Sequence, residues 1–146
     1  MFVLYKEGFY VERSNQKVTT FLMFSGTAEE AMNYYTSIFD DSEILHILRY
    51  GANEAGEEGS VLHATFSLKG QNFMCIDSSV KHEFTFTPAI SLFVTCDTED
   101  EIHRTFEALS QDGIVLMPLA PSPVSEKFGW VQDKYGVSWQ LNLAKS

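Results

Sequence analysis

Apolar and polar residues alternate along this chain in short runs, and twice the alternation gives way to helical spacing. The first helical stretch is FSGTAEEAMNYYTSIF, Phe24 to Phe39. The second is TCDTEDEIHRTFEALS, Thr95 to Ser110, and the two align 71 positions apart, Thr27 on Thr98, Glu30 on Glu101 and Tyr35 on Phe106. Each opens with Thr-x-x-Glu, the pattern of a capping box, and continues with apolar residues on one helical face. Alternation predicts strands over 18–24, 42–50, 60–68 and 71–77 around the first helix, and over 89–95, 114–117, 126–133 and 137–143 around the second. Lys69-Gly70 predicts a tight hairpin. PLAPSP (118–123) reads as a stiff loop, because proline fixes φ. The chain is thus a strand-helix-strands unit written twice.

Because i and i+2 share a face of a strand, parity sorts the side chains further. Leu62, Ala64, Phe66 and Leu68 form an apolar face for the helix, as do Ile90, Leu92 and Val94, and Trp139, Leu141 and Leu143. The opposite faces are mixed: Val61, His63, Thr65 and Ser67; Ala89, Ser91 and Phe93; Ser138, Gln140 and Asn142. Parity assigns Leu22 and Phe24 to this mixed set as well. Bulky apolar groups among a few polar ones suggest a partly dry pocket for a small-molecule ligand.

Composition narrows the class. The 146 residues match one ordinary domain with a sizeable core, for which twelve Phe, six Tyr and two Trp supply bulk. A net charge of −10 disfavours nucleic acid and anionic membrane surfaces as partners. Cys75 and Cys96 lack metal-ligand spacing and suit a reducing, cytoplasmic location. No apolar run approaches the about 20 residues of a membrane span. The first sixteen residues lack the basic start and small-residue cleavage site of a signal peptide and read as an added strand or arm.

The helix motif AEEAMNYYTSIF, the runs VLHATFSLKGQNFMCID and AISLFVTC, and the closing GWVQDKYGVSWQL resemble the vicinal oxygen chelate superfamily of glyoxalases, bleomycin-resistance proteins and extradiol dioxygenases. Within it they resemble the PhnB-like branch, often labelled 3-demethylubiquinone-9 3-methyltransferase. The resemblance implies an α+β fold, two βαβββ modules forming a cupped mixed sheet with helices on its outer side. It implies an arm over 1–17 and a single domain over 18–146 built of modules 18–77 and 89–143. Methyl transfer itself finds no support in the sequence, since no glycine-rich turn joins a strand to a helix. Metal-dependent relatives hold an ion with four His, Glu or Gln side chains. Those positions fall here on Thr20, Met74 (or Cys75), Ala89 and Gln140, and one amide cannot hold a divalent cation against water. No metal and no cofactor is therefore expected.

His63 is the candidate catalytic group, a general base or hydrogen-bond donor, with a cross-strand histidine as the alternative. Thr20, Leu22, Phe24, Met74, Phe93, Trp130 and Gln140 are the candidate ligand-binding residues. His46, His82 and His103 read as surface groups, and Asp77 as the cap of a turn. The expected function is a small-molecule binding protein or non-metal enzyme of the glyoxalase/bleomycin-resistance type. The alternatives are a metal-dependent lyase or dioxygenase and a non-catalytic scaffold. A homodimer is expected, with the apolar arm (Phe2, Val3, Leu4, Phe9, Tyr10) offering surface to bury.

Overall fold

The structure, a computed structural model, describes residues 16–146 and, for Phe2–Leu4 and Tyr10–Glu12, the backbone alone. The arm side chains named above lie outside the described residues. Two compact units divide the chain, Met1–Lys81 and His82–Ser146, each holding one copy of the repeat.

In the first unit, β1 (Phe2–Leu4) and β2 (Tyr10–Glu12) form an antiparallel pair. Then come β3 (Thr20–Phe24), α1 (Ala28–Ile38), β4 (Glu43–Arg49), β5 (Val61–Leu68) and β6 (Gln71–Asp77). Their sheet has the order β3-β6-β5-β4, with β3 parallel to β6 and the other pairs antiparallel. The second unit repeats this with β7 (Leu92–Cys96), α2 (Glu99–Ser110), β8 (Ile114–Ala120), β9 (Ser125–Gln132) and β10 (Ser138–Ala144), in the order β7-β10-β9-β8. The fold is α+β, two similar modules, each a four-stranded mixed sheet carrying one helix. No helix among the described residues is long and apolar enough to cross a membrane.

Each helix buries its apolar stripe on its own sheet. Tyr35 of α1 stacks on Phe66, centroids 6.4 Å apart, and Phe66 stacks on Phe73 at 5.3 Å. Ala31 and Met32 are fully buried beside them. In the second unit Ile102 and Leu109 of α2 are fully buried, as are Val131 and Leu141 of its sheet. The β5–β6 hairpin turns on Lys69 and Gly70, both with positive φ, the conformation that a two-residue turn between twisted strands demands. Gly113 answers a different demand: a Cβ there would lie 2.3 Å from the backbone oxygen of Gln132.

The two helices begin in different ways despite their shared motif. Thr98 Oγ1 accepts the N–H of Glu101 at 3.1 Å, and Glu101 Oε1 reaches back to the N–H of Asp97 at 2.7 Å, so α2 has its box. Thr27 makes no capping bond. Instead Asp77, at the end of β6, places Oδ1 2.8 Å from the N–H of Gly26 and 3.0 Å from that of Ala28. Its Oδ2 accepts the N–H of Val61 at 2.9 Å. The predicted turn cap is a bracket joining α1, β5 and β6. PLAPSP also departs from expectation: β8 runs on through Pro118 to Ala120, which its place at the sheet edge permits, since an edge strand has a side that needs no N–H donor.

Asp77→Ala is expected to lower folding stability by about 3 kcal/mol, because three N–H donors lose a buried acceptor. Thr98→Ala should cost about 1 kcal/mol and Thr27→Ala less than about 0.5 kcal/mol. Urea denaturation of the three variants measures all of this.

Candidate functional site

Cross-strand partners share a face, so the register places the candidates directly. On the face of the first sheet turned away from α1, one row crosses all four strands: Phe21, Met74, Thr65 and His46. His63 lies two residues along β5 from Thr65, with its ring centroid 6.3 Å from that of Phe21. On the corresponding face of the second sheet the row is Phe93, Gln140, Trp130 and Met117. Phe21 and Phe93 are each the second residue of the strand that precedes the helix of their unit, one position out of step with the helix alignment, and both remain largely exposed, at 49% and 59%.

The structure thus brings His63 and Met74 together in one unit, and Phe93, Gln140 and Trp130 together in the other. It corrects the parity of β3. Leu22 and Phe24 pair with Cys75 and Asp77, and Thr20 with Phe73; all three candidates lie on the helix-facing side, with Leu22 and Phe24 in the core. Residues 21–24 are all apolar, so alternation alone could not choose between the two settings of the strand. Only its pairing with β6 does, and that pairing brings forward Phe21 and Met23. Val61 is corrected too. A register shift opposite Leu48 and Arg49 sets Leu62 out of the pairing, and Val61 turns into the core, fully buried. A second shift, between Ile44 and His46, puts His46 in the row beside Thr65 rather than among surface groups. His103 is a surface residue, but it meets Lys127 Nζ at 2.6 Å and Glu99 at 3.2 Å. Trp139 is core, its Nε1 bonded to Asp133 Oδ2 at 2.9 Å.

The polar groups of the second face bond to one another. Trp130 Nε1 donates to Ser138 Oγ at 2.8 Å, the hydroxyls of Ser138 and Ser91 lie 2.7 Å apart, and Gln140 Nε2 donates to Ser91 Oγ at 3.4 Å. On the first face the Thr65 hydroxyl is buried, with no hydrogen-bond partner among the described residues. Burial, and secondarily the neighbouring His46, holds His63 below the ordinary histidine value, which favours the neutral imidazole. On the helix side, burial and then the charge of Asp77 push the Cys75 thiol up to about 12, so it is no nucleophile at neutral pH.

A catalytic metal does not fit the positions the resemblance supplies. Thr20 faces the helix side, opposite to Met74. Ala89 is exposed and precedes β7. Met74 and Gln140 offer a thioether and an already bonded amide. Among the described residues no three His, Cys, Asp or Glu side chains stand together as ligands. A methyl-donor cofactor on a strand-to-helix turn fits no better: the carboxyl groups of Asp77 and Glu101 already occupy the turns before α1 and α2.

Two outcomes follow from these shifts. Cys75 should resist iodoacetamide at pH 8 in the native protein and react after denaturation, read by peptide mass. His63, with its folded value lowered, contributes stability that is complete above its unfolded value of about 6.5 and is lost as pH falls from there towards the folded value. The stability difference between the native chain and His63→Gln, from urea midpoints, should therefore move against the native chain between pH 7.5 and pH 5.5.

Comparison with known proteins agrees with this architecture. A family profile described as 3-demethylubiquinone-9 3-methyltransferase matches residues 16–142. A solved PhnB protein from Bacillus cereus is 67% identical, with a TM-score of 0.86, over 88% of this chain and 100% of that one. A protein of solved structure from Pseudomonas aeruginosa is 25% identical, with a TM-score of 0.80, over 90% and 100%. Protein YjdN of Escherichia coli is 23% identical over 88% of this chain and 95% of its own length. The fosfomycin resistance protein FosX of Listeria monocytogenes, at 10% identity and a TM-score of 0.61 over 91% and 94%, shares the fold. The chain belongs to the family described as 3-demethylubiquinone-9 3-methyltransferase.

Proposed function

We propose that this chain is a small-molecule binding protein, or an enzyme working without a metal, of the glyoxalase/bleomycin-resistance type. One observation carries the reading. Each sheet keeps a half-exposed phenylalanine in mid-strand, on the face turned from its helix, beside neutral polar groups. An exposed aromatic within a strand is tolerated singly, but one at the same strand position in both units supports a surface that something covers. Apolar groups with a few polar ones are the usual lining of a small-molecule site. In this reading His63 contacts the ligand, and its largely neutral imidazole can accept or donate a hydrogen bond, or act as a general base. Met74 contributes a further contact on that face, and Phe93, Trp130 and Gln140 line the far face of the second unit, taken by itself. Thr20, Leu22 and Phe24 act from behind, by holding β3.

The metal-dependent lyase or dioxygenase reading lacks a donor set among the described residues, and methyl transfer lacks a cofactor turn before α1 or α2. The scaffold reading accounts less well for neutral polar groups gathered on both faces. A homodimer in the cytoplasm accompanies the proposal, since exposed Ile114 and Met117 at the β8 edge offer surface that a second copy would bury.

Native mass spectrometry of the purified chain tests the proposal. The expected spectrum is a dimer carrying a non-covalent organic adduct, and His63→Ala should reduce that adduct at least fivefold while leaving the melting temperature nearly unchanged. A bare single chain at micromolar concentration, with no adduct after addition of a metabolite extract, would overturn both parts.

A further inference from the structure

The far faces of the two sheets share a property that the chain as a whole lacks. Twenty acidic and ten basic side chains are distributed along the sequence. Yet no Lys or Arg falls on either far face within the strands, and the acidic residues outside the helix-facing rows are Glu43, opposite Ser67, and Glu126, which the register shift at the end of β10 leaves out of the pairing. Arg49 turns to the helix side, where it pairs with Glu29, and Lys127 reaches Glu99 of α2 at 3.0 Å. An anionic ligand such as a phosphate or carboxylate would find no charged donor in these strands, and desolvating it there would be costly.

The first far face holds a more specific feature. Thr65 is 5% exposed, and its hydroxyl lies in the row between Met74 and His46 without a partner among the described residues. A buried hydroxyl left unbonded costs free energy that a ligand atom in bonding position would recover. Phe21 offers a half-exposed ring within the same row, beside the His63 ring. The unbranched thioether of Met74 can shift to admit a flat group between them.

We infer that the first module binds a neutral, planar aromatic compound bearing a hydroxyl or carbonyl, stacked on Phe21 with its oxygen bonded to Thr65 Oγ1. This rests on the small-molecule reading above and adds to it the chemical class and the two residues that choose it. Phe21 supplies the apolar contact, and Thr65 separates an oxygenated ring from a bare hydrocarbon. The absence of Lys and Arg from the far-face positions of the described strands separates the neutral compound from its anionic analogue. His63, kept largely neutral by burial, adds no charge to attract an anion.

The full-length chain with 13C-methyl methionine, titrated with 2-naphthol, 2-naphthoate and naphthalene, tests the inference. Met74→Leu assigns the reporting methyl signal. The expected result is a saturable shift of the Met74 signal with 2-naphthol, at least tenfold tighter than with 2-naphthoate. Phe21→Ala should weaken 2-naphthol at least tenfold. Thr65→Val, nearly isosteric, should weaken 2-naphthol at least threefold and leave naphthalene unchanged. Binding of 2-naphthoate as tight as that of 2-naphthol would overturn the neutral class and leave the ligand-site reading standing. Equal affinity for naphthalene and 2-naphthol would overturn the role of Thr65. No movement of Met74 with any of the three would overturn the ligand site on this face itself. The comparison among probes uses the unmodified chain, so it stands even if a variant fails to fold.

Discussion

The carboxyl group of Asp77 holds the first module's candidate site in place, although it faces the other side of the sheet. It receives N–H donors from the turn after β3, the start of α1 and the start of β5, while its own strand is β6. Its backbone oxygen also takes the Tyr50 hydroxyl at 3.3 Å, beyond the end of β4. The strands that present Phe21, His63, Thr65, Met74 and His46 thus converge on one residue. A buried acid is stable only when its oxygens are bonded, and here the donors are backbone groups that would otherwise be orphaned at a helix start and a strand start. The second module uses a buried acid too, but elsewhere. Asp133 gathers the N–H groups of Tyr135 and Val137 and the Trp139 indole, and so closes the β9–β10 hairpin.

Much of this architecture was legible from the residues. The repeat, the two helices, Gln71–Asp77 as a strand and the Lys69-Gly70 turn follow from spacing and local turn chemistry, which act over a few residues. Phe93 and Gln140 were placed on one face correctly because β7 and β10 alternate cleanly. The setting of β3 was not legible, because four consecutive apolar residues satisfy either parity and the decision lies with β6, some fifty residues away. Nor were the register shifts in β4 and β5 that bury Val61 and bring His46 beside Thr65, since a shift is set by pairing and leaves no mark in composition. The cap of α1 was misread for a related reason. A motif announces which side chain is nearest, whereas a carboxyl from a distant strand can take its place.

The two far-face rows, Phe21-Met74-Thr65-His46 and Phe93-Gln140-Trp130-Met117, show what the repeat kept and what it changed. A phenylalanine recurs, and the charge-poor character stays. The polar content diverges. In the second row Trp130 and Gln140 are tied to Ser138 and Ser91, which fixes their rotamers before any ligand arrives. Such a surface supplies shape and rigid contact area. In the first row the Thr65 hydroxyl keeps bonding capacity, and beside it stands a histidine whose protonation is disfavoured by burial. Each face offers its own chemistry, and that of the first discriminates by hydrogen bonding, because a buried hydroxyl penalises any ligand that leaves it unbonded.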